Sequence, residues 1–189
     1  MPLYIREGAT MKLKEIIELS KSIIGLDSVS DYDNPGEATL KLIDCARMIY
    51  SELCLEYVPI KFKEEAFLSK GVLKYSELTY PVREILWIKM MDSKVPFKMG
   101  VHQANIKYKV DSPCEVYYSV HPTEPGIDDE LILPPWYTAH LIATGVVSEY
   151  YYRVGMVDEA LFYRTRYDHS LQNLTKSIRS YTLPRRRFI

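Results

Sequence analysis

Glu56–Tyr57–Val58–Pro59–Ile60–Lys61–Phe62–Lys63–Glu64–Glu65: across this stretch the apolar period changes from helical to two, with Val58, Ile60 and Phe62 alternating against Lys61 and Lys63. A chain that reads as helix before this point and as strand after it belongs to the α+β class. On the amino-terminal side a helix is predicted over 35–56. Asn34 before Pro35 is a helix start, and Leu42, Ala46, Ile49 and Leu53, with Ile43 and Tyr50 beside them, form a packing stripe. An earlier helix is predicted over 12–25, where Leu13, Ile16, Ile17, Ser20 and Ile23 or Ile24 share a face and Gly25 suits a C-terminal cap. Lys12, Lys14, Glu15 and Lys21 are assigned to its wet side.

On the carboxyl-terminal side, strands are expected within 57–120, at 71–78, 82–90, 105–110 and 114–120 besides the one at Tyr57. Ser69–Lys70–Gly71, Asp92–Ser93 and Asp111–Ser112–Pro113 are the turns between them. Ile106, Tyr108 and Val110 alternate with Lys107 and Lys109, the pattern of a small antiparallel sheet with one wet face. His121–Pro135 is too proline-rich for helix and returns the chain to helical pattern. Pro134–Pro135 open a third helix, 135–154, apolar on much of its circumference through Trp136, Leu141, Ile142, Val146, Val147 and Tyr150. A fourth, 158–180, carries Ala160, Tyr163, Tyr167, Leu171, Leu174 and Ile178 on one stripe. Residues 1–181 are thus read as a single α+β domain of two amino-terminal helices, a central sheet and two carboxyl-terminal helices, and 182–189 as an extended tail.

The 189-residue chain has net charge −1, so no bulk attraction to nucleic acid or anionic membrane follows. The carboxyl end differs: from His169 onward stand Lys176, Arg179, Arg185, Arg186 and Arg187 and no Asp or Glu. Sixteen tyrosines against five Phe and two Trp suit either burial against a partner or the lining of strands. Cys45 and Cys54, nine residues apart on one helix, point to opposite faces and cannot pair. With no signal peptide and no apolar run near the ~20 residues that span a bilayer, the expected setting is a reducing cytoplasm.

His102, His121, His140 and His169 stand apart from one another, with no Cys or carboxylate at metal-ligand spacing, so no metal and no cofactor is expected. Nucleotide-binding glycine loops and the G-x-S-x-G elbow are absent from the sequence. Asp128–Asp129–Glu130 lacks the periodicity of a calcium loop. Asp168–His169–Ser170 has triad residue types, but neighbours on a helix diverge by ~100°. The expectation is a protein without catalytic residues. The residues singled out for partner binding are Leu183, Pro184, Arg185, Arg186, Arg187, Phe188 and Ile189, an apolar pair behind a guanidinium cluster. Two other classes compete: a nucleic-acid-binding module using this basic arm with tyrosines as stacking platforms, and an enzyme with a dispersed site around His102, His121 and Glu124.

The order of small antiparallel sheet, Leu131–Ile132–Leu133–Pro134–Pro135–Trp136, two helices and a basic tail resembles the head-to-tail adaptor (head completion, connector) proteins of tailed bacteriophages. In that family an L-P-x-x motif enters a helix rich in Ala and aromatics, as with Tyr137, Ala139, Ala143 and Tyr150–Tyr152. A second helix similar to Asp158–Tyr167 follows, and then a tail with arginines like Arg185–Arg187. The resemblance covers the last third of the chain and the general layout of the sheet; Met1–Thr10 and the first helix lie outside it. It implies a virion structural protein, made in the cytoplasm of a bacterial host, that forms a dodecameric ring of identical subunits under the portal. The ring would join the capsid to a tail or stopper protein, with DNA as passing cargo and no membrane partner. The carboxyl-terminal tail would dock on the portal.

Overall fold

The change of period at Tyr57 falls on a π-helical turn, Leu53–Tyr57, closed where the Val58 N–H donates to the Leu53 carbonyl at 2.8 Å. The computed structural model describes residues 11–26, 32 and 35–180. The elements are β1 (Met11–Lys12), α1 (Leu13–Ile24), α2 (Glu37–Glu52), β2 (Lys61–Leu68), β3 (Val72–Lys74), β4 (Val82–Met90), β5 (Ser93–Val95), β6 (Phe97–Met99), β7 (Gln103–Ile106), β8 (Ser112–Val120), β9 (Glu130–Leu131), α3 (Ala139–Arg153) and α4 (Val157–Ser180). The chain is α+β. The span read from sequence as one domain carries two compact units, one formed by Glu52–Thr123 and the other by the described residues of Gly8–Ser51 and Glu124–Ile189.

In the first unit an antiparallel sheet has the order β2-β8-β4-β5. Leu68, Ile85, Ile88, Cys114, Val116, Tyr118 and Val120 are buried, and Lys63, Tyr117 and Trp87 lie in one row across three strands on the opposite side. Ile85 and Ile88 are three apart yet both buried, because a register shift between Ile85 and Trp87 adds a residue to β4. A second antiparallel sheet has the order β3-β7-β6. The strand expected over 71–78 stops at Lys74, where Tyr75–Glu77 make a 3-10 turn, and the one expected over 105–110 ends at Ile106. Gly71 is the cause of the second ending. Its φ is +76°, and a Cβ there would meet the Tyr108 carbonyl oxygen at 2.1 Å, so the chain beyond Ile106 crosses directly over glycine.

Glu64 ties β2 to the segment before β4. It accepts hydrogen bonds from the Tyr118 hydroxyl (2.6 Å), the Thr79 hydroxyl (2.5 Å) and the Thr79 N–H (2.9 Å), next to a Phe62–Tyr80 ring stack. Partial burial works to raise the Glu64 pKa, but these three donors outweigh it and hold the carboxyl below its usual value. Burial first, and Glu64 second, push the Tyr118 phenol up, so it stays a donor. A depressed folded pKa contributes stability that is present above the unfolded pKa and lost as pH falls through the folded one. Glu64→Gln should therefore unfold at lower temperature than wild type at pH 7, with the gap closing below pH 4.5. Melting curves at pH 7 and pH 3 check this, and a constant gap would contradict it.

In the second unit β1 pairs with β9, Met11 opposite Leu131 and Lys12 opposite Glu130, and α3 packs against both α1 and α4. The α1 stripe of Leu13, Ile16, Ile17 and Ser20 is buried as its spacing predicts. Lys21, assigned from sequence to the wet side, is only 2% exposed. Its ammonium lies 5.3 Å from the Tyr32 ring centroid and 4.0 Å from the Glu18 carboxylate, and its stem supplies core surface. The third helix begins at Ala139 rather than at the proline pair. Tyr137 N–H donates to the Pro134 carbonyl in a turn, and Thr138 is the N-cap, its hydroxyl accepting from the Leu141 N–H at 3.3 Å. Among the described residues no helix is long and apolar enough to cross a membrane.

Candidate functional site

The α3–α4 pair is built around one small residue. Gly145 lies under the wholly buried Tyr167 ring, whose Cε2 would be 2.9 Å from a Cβ at that position, so only glycine lets the ring reach the α3 backbone. Leu141 through Ser148 are all buried, and α4 contributes Ala160, Tyr167 and Leu171. This stripe fixes which face of α4 is inside. Gly155, with φ +82°, turns the chain between the two helices, and the Met156 N–H returns to the Tyr151 carbonyl at 2.9 Å. Tyr151 stacks on Tyr163 at 5.7 Å. Arg153, in the last turn of α3, reaches Asp44 of α2 at 4.0 Å and pairs with Glu149 at 3.4 Å.

Outside that stripe α4 carries a second apolar row. Leu161 is 59% exposed and Phe162 57%, with Val157 one turn before Leu161 and Met156 just ahead of the helix, both also exposed. Tyr152, at the end of α3, is 66% exposed. Five large apolar or aromatic side chains thus face solvent around one interhelical turn, with Asp158 and Glu159 beside them. Exposed apolar residues scattered singly need no account, whereas several gathered around one turn make a candidate binding surface. The sequence stripe 160–163–167–171 leaves this row out; its available signal was a second set of apolar residues on α4, Val157, Leu161 and Phe162.

The structure scatters the other candidate groups. Asp168 pairs with Arg164 (3.1 Å), His169 meets Asn173 through its ring nitrogen (3.3 Å), and Ser170 donates to the Arg166 carbonyl (2.9 Å), so that sequence triplet points three ways. Within the acidic run, Asp129 turns back to accept from the Gly126 N–H at 2.7 Å, and Glu124 lies 4.0 Å from Arg47. His102 and His121 belong to one unit and Glu124 to the other. Among the described residues no group of three His, Cys, Asp or Glu is placed to hold a metal. Cys45, Cys54 and Cys114 are buried and not disulfide-bonded, and burial pushes Cys45 up to about 11, which keeps it a protonated core residue. The proposed partner-binding residues Leu183–Ile189 lie outside the described residues.

On the outer face of the four-stranded sheet the Trp87 ring has Lys63, Lys89 and Lys94 within 6.0, 4.8 and 5.7 Å and Tyr117 at 5.2 Å. Glu115 sits among them, 2.6 Å from Lys63 and 3.8 Å from Lys89, and Glu65 is its cross-strand partner. Glu115 thus engages two of the three lysines around the ring. No family model and no curated protein matches the chain.

Proposed function

We propose that this protein is a non-catalytic structural connector of a tailed-bacteriophage virion, a head-to-tail adaptor that forms a ring beneath the portal and links the capsid to the tail. The observation that carries the reading is the exposed apolar row of Met156, Val157, Leu161 and Phe162 at the α3–α4 turn. A surface of that kind is stabilised only when another chain covers it, each side chain contributing about 1 kcal/mol or more as it leaves water. The rigid pair beneath it, with Gly145 against Tyr167, holds the row in place without further ordering cost. The order of sheet, Leu131–Trp136, two helices and arginine-bearing tail supplies the connector identity. In this account the α4 row makes contacts between identical subunits, and Leu183–Ile189 dock on the portal.

The test is binding of the chain to the portal protein of the same virion, measured by co-sedimentation for the full chain and for a chain lacking 182–189. The full chain should sediment with the portal and the shortened one should not. Failure of the full chain to bind, or equal binding by both, would overturn the assignment of the tail.

A further inference from the structure

The helical unit also holds a cleft of about 440 Å³ between the first turns of α3 and the middle of α4, bordered by Trp136, His140, Leu141, Arg166, Asn173 and Leu174. Three hydroxyls in its lining are already committed to their own helices. Thr138 accepts from the Leu141 N–H, Thr144 donates to the His140 carbonyl at 2.8 Å, and Ser170 donates to the Arg166 carbonyl. The Asn173 amide meets His169. What remains open to a ligand is an aromatic wall, an apolar floor and a cation. Trp136 is 48% exposed, Leu141 is buried and Leu174 half-buried. Arg166 has no acidic partner among the described residues; its guanidinium contacts the Phe162 ring at 5.8 Å. Among the described residues no carboxylate lines the cleft.

We infer that this cleft takes an extended peptide segment of another protein, one that places an apolar side chain between Trp136 and the Leu141–Leu174 floor and an adjacent Asp or Glu on Arg166. The charge argument is direct: a lone guanidinium at the edge of an apolar cleft free of acids is complementary to one carboxylate, and the planar fork favours that group. The space is that of two or three side chains. Tryptophan and arginine are also the residue types that dominate protein-binding energetics. A nucleic-acid strand is disfavoured, because it needs a row of cations along its backbone and the lining offers one permanent charge. The inference goes beyond the connector reading and stands whether or not that reading holds.

The test is selection of a displayed library of random dodecapeptides on the full chain, in parallel on wild type, R166E and W136A. Both positions are exposed, so folding tolerates the changes. Wild type should enrich peptides with Asp or Glu beside a large apolar residue, R166E should shift the preference to Lys or Arg at that place, and W136A should lose the enrichment. A synthetic copy of an enriched peptide should bind R166E about tenfold or more weakly than wild type, the worth of one charge-assisted hydrogen bond. Lack of enrichment, the same peptides from wild type and R166E, or a dT15 oligonucleotide quenching Trp136 in a W87F background at lower concentration than any enriched peptide would overturn it.

Discussion

Replacing Tyr167 with alanine lowers the unfolding free energy by about 3–5 kcal/mol, the range for removing a large aromatic ring from a closed core. The ring is wholly buried, and the residue it covers on α3 is Gly145, which has no side chain to move into the space left behind. The cavity therefore stays open, which places the cost toward the top of the range. Gly145→Ala approaches the same contact from the other side. Its new Cβ would lie 2.9 Å from the ring, so ring or helix must shift, at about 1–3 kcal/mol for overpacking. Urea unfolding followed by far-UV circular dichroism gives both values, and hydrogen exchange should show lost protection in α3 and α4. A Tyr167→Ala protein within 1 kcal/mol of wild type would mean that the two helices are not held by this contact.

Phe162→Asp leaves the fold intact and weakens assembly by about thirtyfold or more, the effect of losing one interface anchor. Phe162 is 57% exposed and contributes little to the core, so its cost in an isolated chain is small. In an assembly the same position is desolvated, and a carboxylate there adds to Asp158 and Glu159 on the same end of α4. Leu161→Asp should behave alike. Thermal melting of each variant separates folding from assembly: unchanged melting with lost assembly is the expected pair of results, and unchanged assembly would remove the α4 row from the interface.

The parts of the fold that could be read from sequence are those where one period runs long. The α4 stripe, the α1 stripe and the alternation of β8 each repeat often enough to fix a buried face. Single-residue events were not legible. A register shift in β4 broke the period of two, and Thr138 supplied the helix cap three residues beyond the last proline of Pro134–Pro135, which looked like a first turn. Lys21 reads as a surface residue by type, and only the Tyr32 ring and the Glu18 carboxylate make its burial tolerable. The two-residue strands β1 and β9 pair with each other across most of the chain, and three-residue β5 and β6 pair with the adjacent β4 and β7; runs this short leave no local pattern. The same holds for the site. Leu161 and Phe162 were visible as letters within the resemblance, but their exposure depends on which α4 face Gly145 and Tyr167 bring together. Of the tyrosines, Tyr118 lies in the core of a strand, as the strand-lining reading expects, and Tyr152 lies on an open surface.

The most direct measurement is the absolute mass of the complex formed with the portal protein, by light scattering on a size-exclusion column, for wild type and Phe162→Asp. The account predicts that wild type adds to the portal as a closed ring of 22.0 kDa subunits, twelve in the dodecameric reading, and that the variant adds no complete ring. A wild-type chain that elutes at 22.0 kDa, apart from the portal at every concentration, would contradict it.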